Sequence, residues 1–435
     1  MASSDPLCRA LTPSEQQWLP QSSLIGLAGV LSASTTVDVA SLHVAVQRVA
    51  GTQPYLQVRI DAEKLCYARN DGVPVTGETV SGGEDDARAT LRAAMAQQLA
   101  VGIDRGVCLA RAHLVDGFTG GKKILILVAD HLCFDGRSLM QLFESTCDAV
   151  AYAGSADNDH PSTMMDFIEW TSRIPDDVSF PKPYEPPFET VRLKPKDDAL
   201  PPAELAQVLV EDHIVTVPAE TMTALKGRAK AKGTTLNAPL MAAFLGAAAA
   251  AAARRDPEGV PSSAPYNVRA CCAVDMREAL GLTRMYMNNS SSVVPVHGVM
   301  PAVDDATAGS LWSAALASQK VMQDHVAANE GFRLQDITKG ARFAEFGPYF
   351  DILCLWSNMG LFRGKGVEHI ECHLRGAGSN PIVSGHPITC AHGDSGAMTL
   401  SLTLTFSPGV HDRETVEFMG ATFERFVGIL AEGQE

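Results

Sequence analysis

The segment from Lys122 to Val150 constrains the fold more than any other part of the chain. It contains a continuous apolar run, Ile124 to Ala129, that ends just before His131. Asp135 and Gly136 follow, and the apolar residues after them recur at the helical period. This order predicts a buried strand, a tight turn and a helix, with one histidine at the exit of the strand. A histidine there can accept a proton near neutral pH.

The length and the proline content predict two lobes. A chain of 435 residues is too long for one compact core. Prolines recur between Pro181 and Pro202 and interrupt any regular element. We therefore predict an N-terminal lobe over residues 1–165, a proline-rich crossover linker over 166–205 and a C-terminal lobe over 206–435. A short helix at 164–172 is compatible with that linker.

Strand-like and helix-like segments alternate in both lobes, which predicts a mixed α/β fold. In the first lobe we expect helices at 37–49 and 87–99 and strands at 55–60, 64–68, 108–115 and 124–129. In the second lobe we expect helices at 219–230, 236–253, 311–329 and 415–430 and strands at 213–217, 268–274, 349–356 and 397–406. Thr235 is a plausible N-cap for the alanine-rich helix that follows it.

Charge and composition exclude several classes of partner. The net charge of −15 argues against nucleic acid and anionic membranes. The first twenty residues lack the pattern of a signal peptide, and the alanine-rich run at 238–253 is short for a membrane span. We expect no stable membrane insertion. The 10 cysteines are scattered, which is typical of reduced thiols in a cytoplasmic protein.

The spacing from His131 through Asp135 to Gly136, H-x-x-x-D-G, resembles the active-site motif of the CoA-dependent acyltransferase superfamily. That superfamily includes chloramphenicol acetyltransferase, the condensation domains of nonribosomal peptide synthetases, plant alcohol acyltransferases and polyketide-associated acyltransferases. Further segments resemble it in chain order: Arg9-Ala10-Leu11 with Glu15, Leu109 to Leu114, Leu225 to Ala248, Ala273 to Arg277, and Trp356 to Gly360.

The sequence departs from the motifs of two branches of this superfamily. Condensation domains usually carry two adjacent histidines, and here the first position is Asp130. Stand-alone alcohol acyltransferases often keep the second histidine alone, so the departure weakens the peptide-bond interpretation more than the catalytic one. The D-F-G-W-G loop of the plant enzymes has its nearest match at Glu345 to Tyr349, which keeps only the Phe and the Gly.

The resemblance implies a fold and an activity. The implied fold is α/β, with two chloramphenicol-acetyltransferase-like lobes and an active-site tunnel at their interface. His131 is the implied general base. The donor would be acyl-CoA or an acyl-phosphopantetheine on an acyl carrier protein, with no tightly bound cofactor. We predict an alcohol acceptor and an ester product; a stand-alone condensation enzyme that acylates an amine is the alternative, followed by a non-catalytic carrier-binding homologue.

The resemblance also implies roles for the residues around the histidine. Asp135 would form a structural ion pair with Arg277 that ties the lobes together and fixes the turn. Gly136 would permit a backbone conformation or a close approach that a side chain would block. Ser357 and Asn358 would line the site or help to hold the oxyanion.

Other clusters favour structural interpretations. His369, Cys372, His373, His386 and His392 lack the spacing of a zinc site, and alternation along a strand explains them better. We therefore predict no metal site. The Gly-Asp-Ser-Gly at 393–396 is similar to a motif of trypsin-like proteases, but the chain lacks the pattern of two all-β barrels. The basic run from Lys226 to Lys232 is a candidate for the donor's phosphates, with a solvated helix face as the alternative.

Overall fold

The computed structural model describes residues 5–12, 15–16, 19, 23–83, 87–151, 165–166, 190–205, 208–260, 265–332, 353–376, 382–392 and 397–433. Most of the predicted linker and of the helix at 164–172 lies outside these ranges, as do the 345–349 loop, the 393–396 turn and the start of the 349–356 strand. The described part forms two sheet-rich lobes with helices packed on the sheets, so the predicted mixed α/β fold is confirmed.

Five strands form the sheet of the N-terminal lobe. They are β1 (Leu24–Leu31), β4 (Val75–Gly82), β5 (Ala110–Phe118), β6 (Lys123–Asp130) and β12 (Val367–Arg375). Their spatial order is β12-β1-β6-β5-β4, so β6 is central. The short strands β2 (Val58–Asp61) and β3 (Cys66–Arg69) pair separately. The strand predicted at 55–60 begins later because Pro54 opens a 3-10 turn, Pro54–Gln57.

The apolar run of β6 is continuous because both of its faces are buried. Leu125, Leu127 and Ala129 pack in the core under α1 (Val39–Ala50) and α3 (Gly136–Ala151). The alternate residues Ile124, Ile126 and Val128 pack under α2 (Ala87–Val101) on the other face. A strand covered on both faces needs apolar residues at every position. This burial fixes the end of β6, where the histidine lies.

The sheet of the C-terminal lobe contains seven strands: β7 (Glu211–Val217), β8 (Tyr266–Asp275), β9 (Ser291–Met300), β10 (Cys354–Trp356), β11 (Gly360–Phe362), β13 (Val383–His392) and β14 (Ala397–Phe406). The order is β7-β14-β13-β10-β8-β9, with β11 beside β13. The helices are the short α4 (Pro202–Leu205), α5 (Ala219–Ala231), α6 (Asn237–Arg255), α7 (Ala308–Ala327) and α8 (Arg413–Glu432).

The alanine-rich helix α6 is a buried helix of this lobe, as its composition suggests. It packs against α7, α8 and the sheet, and an added Cβ at Gly246 would lie 2.8 Å from the Phe426 ring. Small side chains permit that close packing. The N-cap prediction was wrong: Leu236 occupies the N-cap without a side-chain hydrogen bond, and Thr235 contributes its carbonyl, which accepts from Ala238 N–H.

The two sheets do not divide the chain at a single point. β12 lies between β11 and β13 in sequence, yet it pairs antiparallel with β1 in the sheet of the N-terminal lobe. Leu27 pairs with Cys372 in that register. The boundaries at 1–165, 166–205 and 206–435 therefore remain a prediction about chain segments, and β12 carries part of the third segment into the first sheet.

The described residues bear on membrane insertion, metal binding and thiol chemistry. Within the described ranges, no helix is long and apolar enough to cross a bilayer. Among those same residues, no group of three or more His, Cys, Asp or Glu side chains could hold a metal ion. The 10 cysteines are all described, and each is a free thiol.

A buried ionic cluster joins the lobes beside β12. Glu371 on β12 is fully buried; Arg92 Nη2 of α2 lies 2.8 Å from its carboxylate, and His369 Nε2 lies 2.7 Å from it. His373 Nε2 is 3.4 Å from Glu371, and its Nδ1 is 3.1 Å from Asp212 on β7. Burial alone would lower the pKa of His373, but Asp212 and Glu371 raise it to about 9. His373 is therefore a cation between carboxylates of both lobes.

We expect His373 to make stability depend on pH above neutrality. A histidine whose pKa is raised by folding stabilises fully below its unfolded value of about 6.5, and this contribution disappears as pH rises through about 9. Between these limits wild type should lose on the order of 2–3 kcal/mol more stability than His373→Gln. Chemical or thermal unfolding of both proteins across this range measures the difference.

The control is His43→Gln, which removes an exposed histidine on α1. Glu211, Arg375 and Arg413 line the groove beside His373 and remain unchanged in every variant. A stability difference between wild type and His373→Gln that stays constant over the whole range would contradict the ionic role of His373.

Candidate active site

His131 lies at the exit of β6 and is held by its own main chain. Its N–H donates to the carbonyl of Ser23, 2.9 Å away, just before β1. Its carbonyl accepts from Asn289 Nδ2 at 2.8 Å, just before β9 of the other lobe. The backbone of the histidine is thus fixed from both lobes.

The ring of His131 is oriented by the turn that follows it. Nδ1 lies 2.9 Å from the carbonyl oxygen of Phe134. A carbonyl oxygen only accepts, so Nδ1 carries the proton and Nε2 of the neutral ring keeps its lone pair. The side chain is half-buried. An oriented imidazole with an unprotonated Nε2 is what a general base requires.

Asp130 supports the turn. Its carboxylate is buried and receives Arg105 Nη2 at 3.0 Å and the Leu132 N–H at 3.0 Å. Arg105 also donates to the carbonyl of Leu19. The side chain that replaces the first histidine of the condensation-domain motif is therefore an ion-pair partner that anchors the end of β6.

Asp135 and Arg277 form a bidentate ion pair. Arg277 Nη1 and Nη2 lie 3.0 and 2.9 Å from the two carboxylate oxygens, and both side chains are almost fully buried. The carboxylate also accepts the N–H groups of Ser138, in the first turn of α3, and Ser290. Burial alone would raise the pKa of Asp135, but the charge and hydrogen bonds of Arg277 hold it below its ordinary value.

The remaining donors of Arg277 organise the segment before β9. Nε donates to the carbonyl of Tyr286 at 2.7 Å, and Nη2 donates to the carbonyl of Asn288 at 2.6 Å and to Ser138 Oγ at 2.7 Å. Nη1 also contacts Asp275 at 2.9 Å. Arg277 thereby links α3, the 286–290 segment and β8, and the 286–290 segment carries the Asn289 that holds His131.

Gly136 allows a close approach between the lobes. Its φ is not positive, so backbone freedom is not what the position requires. A Cβ on Gly136 would lie 2.2 Å from Met359 Sδ. Met359 follows Ser357 and Asn358, so this contact brings their segment to the histidine turn. Because the displaced group is the end of a flexible side chain, a small side chain at position 136 would shift Met359 before it disturbed the backbone.

Asn358 shapes the turn between β10 and β11. Its Oδ1 accepts the N–H of Gly360 at 2.8 Å, and its Nδ2 donates to Asn237 Oδ1 at 2.8 Å. Gly360 has a φ of +96°, which favours glycine at that position. Ser357 is half-buried and donates its main-chain N–H to Gly385. A role for Ser357 and Asn358 toward an oxyanion stays a prediction.

The basic run on α5 has a largely structural use. Arg228 donates to the last carbonyl groups of α8. Lys232 Nζ lies 5.5 Å from the centre of the Trp312 ring, in a cation–π contact. Lys226 and Lys230 are exposed on α5, so the phosphate hypothesis rests on these two lysines.

Sequence reasoning missed the groups that hold the histidine turn from outside it. Asn288, Asn289 and Ser290 form a polar run directly before β9, and all three contact the turn or its ion pair. Arg105 does the same for Asp130. The polar run was a usable signal, because side chains of this kind before a strand often satisfy backbone groups elsewhere.

Removal of the Asp135 charge should strongly destabilise the protein. In Asp135→Asn the buried Arg277 charge loses its main partner, at a cost of roughly 3–5 kcal/mol. Asp275→Asn is the matched control, because Asp275 contacts the same guanidinium but is 40% exposed; its loss should cost at most about 1 kcal/mol. The unfolding midpoints of the two variants are compared with that of wild type. Equal losses of stability would show that the buried ion pair contributes no more than the exposed one.

Comparison with known proteins agrees with this architecture. No protein-family model matches the chain, and no curated protein sequence matches it significantly. Among solved structures, the first condensation domain of the CDA synthetase matches with a TM-score of 0.65 and 18% identity, over 98% of this chain and 96% of that one. The trichothecene 15-O-acetyltransferase TRI3 from Fusarium sporotrichioides matches with a TM-score of 0.65 and 11% identity, over 97% and 95%.

Polyketide synthase associated protein 5 from Mycobacterium tuberculosis matches with a TM-score of 0.59 and 14% identity, over 96% of this chain and 97% of that one. Sequence identities this low show a shared fold but do not identify the reaction. The chain therefore shares its fold with a condensation domain, an O-acetyltransferase and a polyketide synthase associated protein.

Proposed function

We propose that this protein transfers an acyl group from a CoA or carrier-protein thioester to an alcohol, with His131 as the general base and an ester as the product. The observation that carries the proposal is the hydrogen bond from His131 Nδ1 to the carbonyl of Phe134, which leaves Nε2 as the basic nitrogen. The fold supports the proposal, since one protein that shares it is named as an O-acetyltransferase.

The chemistry needs one base and one group that stabilises negative charge. The acceptor oxygen attacks the thioester carbonyl while its proton passes to Nε2 of His131. The tetrahedral oxyanion then collapses, the carbon–sulfur bond breaks, and the imidazolium returns the proton to the leaving thiolate. The products are an ester and a free thiol, and the histidine returns to its neutral form.

The surrounding residues position these groups. Asp135 and Arg277 act through the turn, because both side chains are buried in the ion pair and its hydrogen bonds. The Asn358 amide has two N–H groups, and the hydrogen bond to Asn237 occupies one of them. We propose the other, with Ser357 Oγ, as the donor toward the oxyanion in a tunnel between the lobes.

An amine acceptor is the second candidate, because the same base and oxyanion donors would serve amide formation. Its support is the structural match to the first condensation domain of the CDA synthetase, at a TM-score of 0.65. In that case the donor would be an acyl-phosphopantetheine on a carrier protein. The acceptor pocket decides between the two products.

Loss of the His131 imidazole should reduce product formation by at least about 10²-fold, the contribution typical of a general base. Mass spectrometry would follow a panel of acyl-CoAs mixed with alcohols and amines, for wild type and His131→Ala. His43→Ala is the control, since His43 is exposed on α1 and distant in sequence from the turn. Thermal melts confirm that each variant is folded.

Each outcome of that screen has a separate meaning. Ester or amide from wild type, lost in His131→Ala, supports the proposal and names the acceptor class. Equal product from both proteins would refute His131 as the base. If neither protein reacts with acyl-CoAs, the screen is repeated with acyl-phosphopantetheinyl carrier proteins. If no product forms with these donors either, the result favours a non-catalytic homologue that binds a carrier.

A further inference from the structure

A second histidine lies on the face of the C-terminal sheet that meets the N-terminal lobe. Gly385 on β13 faces the C-terminal core, where an added Cβ would lie 2.6 Å from the Phe244 ring. Side chains alternate along a strand, so His386 faces the opposite way. Ile388, two residues further on, packs into the core of the N-terminal lobe. His386 is therefore placed at the interface of the lobes.

The backbone next to His386 is connected to the histidine turn. The carbonyl of Pro387 accepts the N–H of Met359 at 3.0 Å. The Met359 side chain in turn lies against Gly136, directly after the turn. Burial is the main cause that lowers the pKa of His386, and a positive charge on His131 lowers it further.

The ring of His386 is neutral and has a defined tautomer. Burial lowers the pKa of His386 to about 4, against the opposing effect of Asp212. Nε2 lies 2.9 Å from Ser384 Oγ, and that oxygen lies 3.5 Å from the carbonyl of Thr405. The carbonyl only accepts, so Ser384 donates to it and accepts from Nε2–H of His386. Nδ1 keeps its lone pair.

From this arrangement, and on the basis of the proposed function, we infer that His386 Nδ1 accepts a hydrogen bond from the acyl acceptor held beside His131. One hydrogen of the acceptor passes to His131 during the reaction. A contact to a second nitrogen base then selects acceptors with another donor hydrogen close to the attacking atom. The acceptor class is therefore a diol or a polyol in preference to a simple monohydric alcohol, and in the amide-forming alternative it is a primary amine.

The kinetic test uses two substitutions of the same residue. His386→Leu removes the acceptor and keeps an apolar side chain of similar size, whereas His386→Asn keeps an amide oxygen near the position of Nδ1. With the acceptor found in the screen, His386→Leu should lower kcat/KM by roughly 10- to 100-fold, because a site built for a hydrogen bond loses it. His386→Asn should retain most of the activity.

Two controls separate recognition from folding. His392→Leu removes a histidine on the same strand, whose Nε2 lies 3.0 Å from the Thr399 hydroxyl, six residues along from His386; it should leave kcat/KM unchanged. With an acceptor analogue that lacks the second donor hydrogen, His386→Leu should also match wild type. Equal losses for both acceptors, or no loss for either, would overturn the inference.

Nitrogen-15 NMR of histidine-labelled protein without substrate tests the same residue independently of catalysis. The resonances of His386 are identified by their loss in His386→Asn. They should show a neutral ring protonated at Nε2 down to about pH 5. A ring protonated at Nδ1, or charged near pH 6, would overturn the assignment. If wild type gives no product with acyl-CoAs or with acyl carrier proteins, the proposed function fails, while this spectrum still decides the state of His386.

Discussion

The buried ion pair between Asp135 and Arg277 is the interaction on which the candidate site depends. Two opposite charges are taken out of water, and that is tolerable because their hydrogen-bonding atoms meet partners at 2.6–3.0 Å. The pair binds the start of α3 to the 286–290 segment. That segment carries Asn289, whose side chain donates a hydrogen bond to the carbonyl of His131. The ion pair therefore helps to position His131, although His131 is not part of it.

The second constraint is the position of the lobes relative to each other. His131 comes from the N-terminal lobe, whereas Ser357, Asn358 and His386 come from the C-terminal lobe. The lobes are joined by β12, which pairs with β1, and by the cluster of Glu371 with its partners on α2, β12 and β7. This cluster is ionic and buried, so the contact between the lobes depends in part on the charge state of His373.

Local patterns in the sequence were sufficient for the strand, the turn and the helix around His131, because each depends on the residues within it. The apolar run required burial on both faces, and the helical period after Gly136 appeared as α3. The place of β12 was not accessible in this way. Polar and apolar residues alternate along most of this segment, as they do in many strands, and nothing in the pattern identifies β1 as the partner.

The sequence by itself determined which residue could act as a base, where the secondary structure around it begins and ends, and which superfamily the chain resembles. The tertiary structure decided what surrounds that residue. Arg277, which lies 142 residues from Asp135 in the sequence, forms an ion pair with it, and Arg105 forms an ion pair with Asp130. A neutral His386 lies at the interface of the lobes. The physical reason is that tautomers, charge states and ion pairs depend on burial and on non-local contacts, and these exist only once the two lobes have packed together.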